Sequence, residues 1–241
     1  MSEQTLYGHD RGRVRIIDAL RGLSILLMVI YHLHFDLYEN RIVSAEFMFS
    51  PTMTFLQQFF ACLFIVMSGV SCRFSRNNLK RGLLMFAAGM VVTVVTYVYD
   101  PSLIIRFGIL HFLGAAAVIY SLLQKPLDTL LPSFVAPVLW IAGAVLTWQL
   151  PHRYFDVEWL WMFGIRSRTF YSADYFPLLP YLFVYLFGTW LGKYIAAGKF
   201  PDWFYRFRCG PLEWIGKKTI WVYLIHQPLC MGIVWLVLKL R

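Results

Sequence analysis

Apolar residues run through this chain in long stretches, and the polar residues that interrupt them are what need explaining. Mostly apolar segments of about 18 to 22 residues, the length that about 30 Å of hydrocarbon demands of a helix, occur at 14–35, 52–72, 82–99, 103–124, 132–150, 174–196 and 219–238. The pattern predicts an all-α integral membrane protein, a bundle of about seven transmembrane helices forming a single domain over residues 1–241, with 1–13 as a tail. No internal repeat or low-complexity tract is visible. The aromatic-rich connection 151–173 and the connection 197–216 are the only long ones.

Composition agrees, with 59% apolar and 18% aromatic residues, above what a soluble domain of this size carries. The net charge of +9 is dealt out to alternate connections. Basic residues cluster in the N-terminal tail (Arg11, Arg13, Arg15), in "RFSRNNLKR" at 73–81, at Lys125 and from Lys193 to Lys218. Connections 36–51, 100–102 and 151–173 are nearly balanced. An excess of Lys and Arg marks cytoplasmic loops, so the N-terminus is expected in the cytoplasm, which leaves Lys239 and Arg241 outside against the trend. The charge therefore reads as a topology signal and not as a nucleic-acid footprint; the expected partner is membrane lipid. Basic residues ahead of an apolar run resemble a signal peptide, but no small-residue cleavage site follows, so the first segment is expected to be retained. Cys62, Cys72, Cys209 and Cys230 show no paired spacing, so neither a disulfide framework nor a zinc site is indicated, and no metal is expected.

The first segment, "RIIDALRGLSILLMVIYHLHFD", carries Asp18, Arg21 and His32. At about 100° per residue these three share one helical face with Ile25 and Met28; Asp36 extends the stripe outward, and His34 points nearly opposite. Because an ionisable group facing lipid costs from about 2.5 to above 10 kcal/mol, the stripe is expected to face the bundle interior or a wet cavity. Arg21 and His32 stand about 16 Å apart along the axis. Two bland readings remain beside a functional one: a structural Asp18–Arg21 ion pair, and an interfacial His32.

Other segments are interrupted in the same way. Arg106 and His111 fall in the outer half of the fourth segment, "LIIRFGILHFLGAAAVIY", with His111 at roughly the depth of His32. Asp174 stands at the outer boundary of "SADYFPLLPYL", where it is placed either to cap the sixth segment or to orient a histidine. Arg73, Arg76, Lys80 and Arg81, with Ser71, Ser75, Asn77 and Asn78, read either as cytoplasmic anchors or as the fork-shaped and neutral donors that a phosphate-rich ligand needs. No Walker or dinucleotide fingerprint accompanies them. His226, Gln227 and Pro228 interrupt the last segment, where a His/Gln pair can satisfy the carbonyls a proline leaves unpaired or contact a ligand. That segment has no lysine, so a retinal Schiff base has no attachment point.

Arg21 followed eleven residues later by His32, "SG" and then Arg73-x-x-Arg76, and "IGKKTIWVYLIHQPL" resemble the transmembrane acyltransferase superfamily, which includes the acyltransferase-three proteins. More closely, "RIIDALRGLSILLMVIYHLHFDL", "SRNNLKRGL", "FGILHFLG" and "SADYFPLLPYLFVYLFGTWLG" resemble bacterial relatives of heparan-α-glucosaminide N-acetyltransferase. The resemblance implies an enzyme of the bacterial plasma membrane that takes an acyl group, typically acetyl, from cytoplasmic acyl-CoA to an amine or hydroxyl of a sugar or glycan on the far side. It assigns the catalytic histidine to His32 and CoA binding to Arg73 and Arg76. It departs from the pattern in having seven expected spans where many relatives have ten or more, and in offering His34 beside His32.

Together these readings give a mechanism. Arg73, Arg76, Asn77, Lys80 and Arg81 hold the phosphates of acetyl-CoA, Asp18 and Arg21 line or brace the route of the pantetheine arm, and His226 and Gln227 contact the donor. His32, with His34 as competitor, accepts the proton of the attacking amine or hydroxyl, with His111 and Asp174 orienting that base or holding the acceptor. An acetyl-histidine intermediate stays open. The rival class is a non-catalytic carrier of a small anionic or lipid-linked substrate, for which inverted repeats are the usual mark. A homo-oligomer is compatible with the sequence.

Overall fold

The break-points of the apolar runs become helix ends. In a computed structural model of the protein, which describes residues 13–240, the helices are α1 (Arg15–Glu39), α2 (Ala45–Met48), α3 (Pro51–Cys72), α4 (Asn78–Tyr99), α5 (Ile109–Leu130), α6 (Val135–Thr147), α7 (Leu178–Ala196), α8 (Asp202–Arg206), α9 (Gly210–Lys217) and α10 (Thr219–Leu240). Among the described residues the only β pairing is two isolated bridges, Phe107 with Tyr175 and Tyr154 with Arg166. The expectations for Arg11, for Arg241 and for the tail ahead of Arg13 lie outside the described residues.

Among the described residues five helices, α1, α3, α4, α5 and α10, are long and apolar enough to cross a membrane, where about seven were expected. The other two runs give shorter or broken elements. Helix α6 has 13 residues, about 20 Å of axis, against about 30 Å of hydrocarbon. Helix α7 has 19 residues, but its second, Leu179, is non-helical (φ −102°, ψ 129°), because a residue followed by proline is driven out of the helical region by the ring.

The chain divides into two compact units, one built from the sequence up to Met67 and from Lys199 onward, the other from Ser68–Gly198. In the first, α1 packs against α9 and α10. The approach is close enough that a Cβ on Gly22 would sit inside the Leu212 carbonyl and one on Gly216 inside the Asp18 carbonyl. Small residues at such crossings let backbones meet where lipid offers no hydrophobic drive to association. Ile16, Ile17, Ala19 and Ile25 are buried along the N-terminal half of α1.

In the second unit α4 packs on α5 and α6 on α7. Gly82 faces the Gly114 carbonyl, and Gly69 and Gly192 bring the last turns of α3 against α7. The fourth apolar run was expected to be helical from 103, but α5 starts only at Ile109. The reason is that residues 104–107 spend their backbone groups elsewhere: Ile105 N–H goes to Thr96 Oγ1 at 3.2 Å, Ile104 O accepts from Ala173 N–H at 3.0 Å, and Phe107 O accepts from Phe176 N–H at 2.9 Å. Ahead of them, hydrogen bonds from Ser102 hold the Asp100 carboxyl below its ordinary range and shape a short turn. Within the aromatic segment 150–177, Trp161 stacks on Phe170 at 5.3 Å and Tyr175 donates to Trp161 O at 2.5 Å; Phe107, which meets Trp161 edge to face at 5.9 Å and bridges to Tyr175, ties that segment to the start of α5.

Candidate functional site

The polar stripe of α1 finds its partners within its own unit. Asp18 is buried and accepts from Arg13 Nε at 2.6 Å; Arg21, 3.9 Å away, donates instead to Thr219 Oγ1 at 2.7 Å, in the first turn of α10. The starts of α1 and α10 therefore lie at the same end. Further along, Asp36 takes two hydrogen bonds from Gln227 Nε2, both 3.0 Å. Between these contacts the His32 and His226 rings meet edge to face, with centroids 4.9 Å apart and planes at 80°.

The hydrogen bonds of these histidines fix which nitrogen is basic. His32 Nδ1 lies 2.9 Å from Met28 O and His226 Nδ1 2.5 Å from Tyr223 O. A carbonyl only accepts, so each ring carries its proton on Nδ1 and leaves its Nε2 lone pair free. His34 makes the same local bond, to Ile30 O at 2.8 Å, but faces Phe47 in α2 and not α10. Of the two neighbouring histidines, His32 is the one set among other polar groups.

In the other unit the basic cluster splits. Arg73 is fully engaged: both terminal nitrogens bond the Asp128 carboxylate at 2.6 and 2.8 Å, Nε bonds Thr189 O at 2.9 Å, and the guanidinium lies over Tyr120 at 5.4 Å. Lys193 adds a second cation 3.7 Å from Asp128. Arg81 points inward to Cys72 Sγ and Ser68 O. Arg76 and Lys80, by contrast, are exposed and carry no ion pair among the described residues. Asn77 caps α4 by accepting from Lys80 N–H at 2.8 Å, and Asn78 donates to Cys72 O at 3.0 Å, so both ends of the connection 73–77 are fixed. A groove of about 430 Å³, lined by Asn77, Lys80, Leu79, Leu83, Leu84 and Ala87, opens beside that cap. A second, of about 490 Å³ between α6 and α7, is lined almost wholly by apolar groups, Trp140, Trp148 and Phe183 among them.

His111 and Asp174 are brought together at the start of α5. His111 is 1% exposed; its Nδ1 accepts from Gly108 N–H at 3.3 Å, which places its proton on Nε2, 3.1 Å from Thr93 Oγ1. Both nitrogens have partners within the protein. Asp174 Oδ2 accepts from Ile109 N–H at 3.1 Å, so it caps α5 and not the helix that follows it in sequence.

Asp128, Thr219 and Thr93 were missed in the sequence. Asp128 lies just past a predicted span beside Lys125 and has the look of a solvated loop acid, while a threonine at a span boundary carries no signal at all.

No curated protein and no solved structure matches this chain. The family model described as heparan-alpha-glucosaminide N-acetyltransferase, catalytic, matches residues 13–228, from Arg13 on the Asp18 carboxylate to the proline after Gln227. That match takes in nine-tenths of the sequence and every residue of the two polar arrangements above. By it the chain belongs to the heparan-alpha-glucosaminide N-acetyltransferase catalytic family.

Proposed function

We propose that this protein is a membrane acetyltransferase that moves an acetyl group from cytoplasmic acetyl-CoA to an amine or hydroxyl of a sugar or glycan on the far side, in the plasma membrane of a bacterium. Family membership supports acetyl transfer. The observation that carries the residue-level reading is the Nδ1 bond of His32 to Met28 O, which turns a basic nitrogen away from its own helix within an apolar span.

The chemistry asks for one such nitrogen. The acceptor's lone pair attacks the thioester carbonyl, and His32 Nε2 takes the acceptor's proton as the C–N or C–O bond forms. When the C–S bond breaks, the imidazolium returns that proton to the departing sulfur, giving the free CoA thiol and a neutral histidine. General-base help of this kind is worth about 10² to 10⁴ in rate. The donor's phosphates are proposed to sit on Arg76, Lys80 and the free N–H groups at the start of α4, where the helix dipole favours negative charge. Arg73 contributes by holding the connection that carries Arg76, through Asp128.

The test is transfer of labelled acetyl from acetyl-CoA to glucosamine by the purified protein in detergent. Wild type is expected to acetylate the sugar, with His32→Ala slower by about 100-fold or more; full turnover by His32→Ala removes that residue from the chemistry. A carrier, in place of an enzyme, would give no acetylated sugar with either protein.

A further inference from the structure

Helices α1 and α10 bring two imidazoles into contact, and the proton count of the proposed reaction gives the second one a task. His226 is 7% exposed within an apolar helix, its ring against His32 with centroids 4.9 Å apart. Both rings are held alike by Nδ1 on a carbonyl of the preceding turn, so both present Nε2 as a lone pair. The Gln227–Asp36 hydrogen bonds lock the two helices beside this pair, next to His226 on α10 and one turn beyond His32 on α1. Among the described residues the titratable groups in ring contact with His226 are His32 from α1 and Tyr223 from its own helix, the latter with centroids 5.4 Å apart, and Asp36 of α1 is held at the neighbouring Gln227.

An amine acceptor arrives as an ammonium and ends as an amide, so its nitrogen sheds two protons while the thioester sulfur takes up one. The first proton must leave before attack, since only then is there a lone pair. The second leaves once the C–N bond has formed. An imidazole that already holds the first cannot take the second, whereas a hydroxyl acceptor needs one base only. We propose that His226 is a second catalytic base of this site, taking the first proton of an ammonium acceptor on Nε2 and releasing it to water, while His32 takes the second and delivers it to sulfur. This rests on the acetyl-transfer reading of His32.

The experiment compares kcat/KM for glucosamine between wild type, His226→Phe, which keeps a ring against His32, and His226→Gln, which keeps a polar group without a basic nitrogen. An amine of pKa about 8 is mostly charged at about pH 6.5 and mostly neutral at about pH 9. The variants are expected to lose about tenfold or more at the lower pH and to return to within about twofold of wild type at the higher, where the acceptor arrives already deprotonated. His32→Ala is expected to be slow at both. An equal loss at the two pH values, or none at either, overturns the second base. If one variant fails to fold, the other is judged by the same outcomes. Wild-type turnover by His32→Ala sinks the underlying reading, whereas a pH-independent His226 effect with His32→Ala inactive sinks only this inference.

Discussion

Asp128 accepts hydrogen bonds from both terminal nitrogens of Arg73 and lies near the Lys193 ammonium, so one carboxylate ties together the ends of α3, α5 and α7. Hydrogen bonds between charged groups are worth about 1.5 to 3 kcal/mol each when partly buried, and the Arg73 side chain is 11% exposed. Asp128→Ala is therefore expected to destabilise the protein by about 2 to 3 kcal/mol, read as a lower thermal midpoint in detergent. Lys193→Ala, removing a more exposed cation at longer range, is expected to cost under about 0.5 kcal/mol. Equal effects of the two would mean that Arg73 does not depend on Asp128. Residues of this kind differ in how far the sequence reveals them. Asp18, Arg21 and His32 are legible because a charge inside an apolar run has to be accounted for on sight. Asp128 is not, since an acid just past such a run needs no partner until the fold supplies one. His111 stood out for the same reason that His32 did, as a group expected to orient that base or hold the acceptor, and its bonds to Gly108 and Thr93 are not legible in the sequence.

Helix starts and crossings follow from backbone groups that periodicity does not register. The α1–α9 crossing has no room for a side chain at Gly22 or Gly216, and the facing atoms are backbone carbonyls that cannot step aside. Overpacking of this kind costs about 1 to 3 kcal/mol for a methyl group, so Gly22→Ala should lower the thermal midpoint, and Gly22→Val should lower it further. At Gly198, where an added Cβ meets nothing within 4 Å, the space is open, but the positive φ of +72° strains any other residue, so it is no control. Gly232, with open space and ordinary helical backbone, is one: Gly232→Ala should leave the midpoint within about 0.5 kcal/mol of wild type or raise it. The start of α5 could not be read from hydropathy, because residues 104–107 are as apolar as the helix they precede; what stops them is the pairing with 172–176 and the cap from Asp174. Asp174→Ala is expected to cost about 1 kcal/mol, the usual worth of an N-cap. The start of α4 is the element proposed to bind the donor. Arg76→Ala with Lys80→Ala should weaken acetyl-CoA binding by about tenfold or more while leaving the midpoint without ligand unchanged; unchanged affinity would make the pair membrane anchors.

For the chain as a whole, the helical membrane class was plain from hydropathy alone, since no soluble core accommodates this much apolar sequence. The number of spans was less plain, because a count of apolar residues does not register where helical backbone begins and ends, at 13 residues in α6 and with the non-helical Leu179 at the start of α7. The sides of the membrane rest on the alternation of basic connections, with which the adjacent starts of α1 and α10 agree. The central claim joins that sidedness to His32, and sealed vesicles test both together. With labelled acetyl-CoA enclosed in proteoliposomes and glucosamine supplied only outside, vesicles bearing the wild-type protein are predicted to accumulate labelled N-acetylglucosamine in the external medium, and those bearing His32→Ala to accumulate almost none. Equal external product from the two proteins, or product only when donor and acceptor share a compartment, would contradict the account.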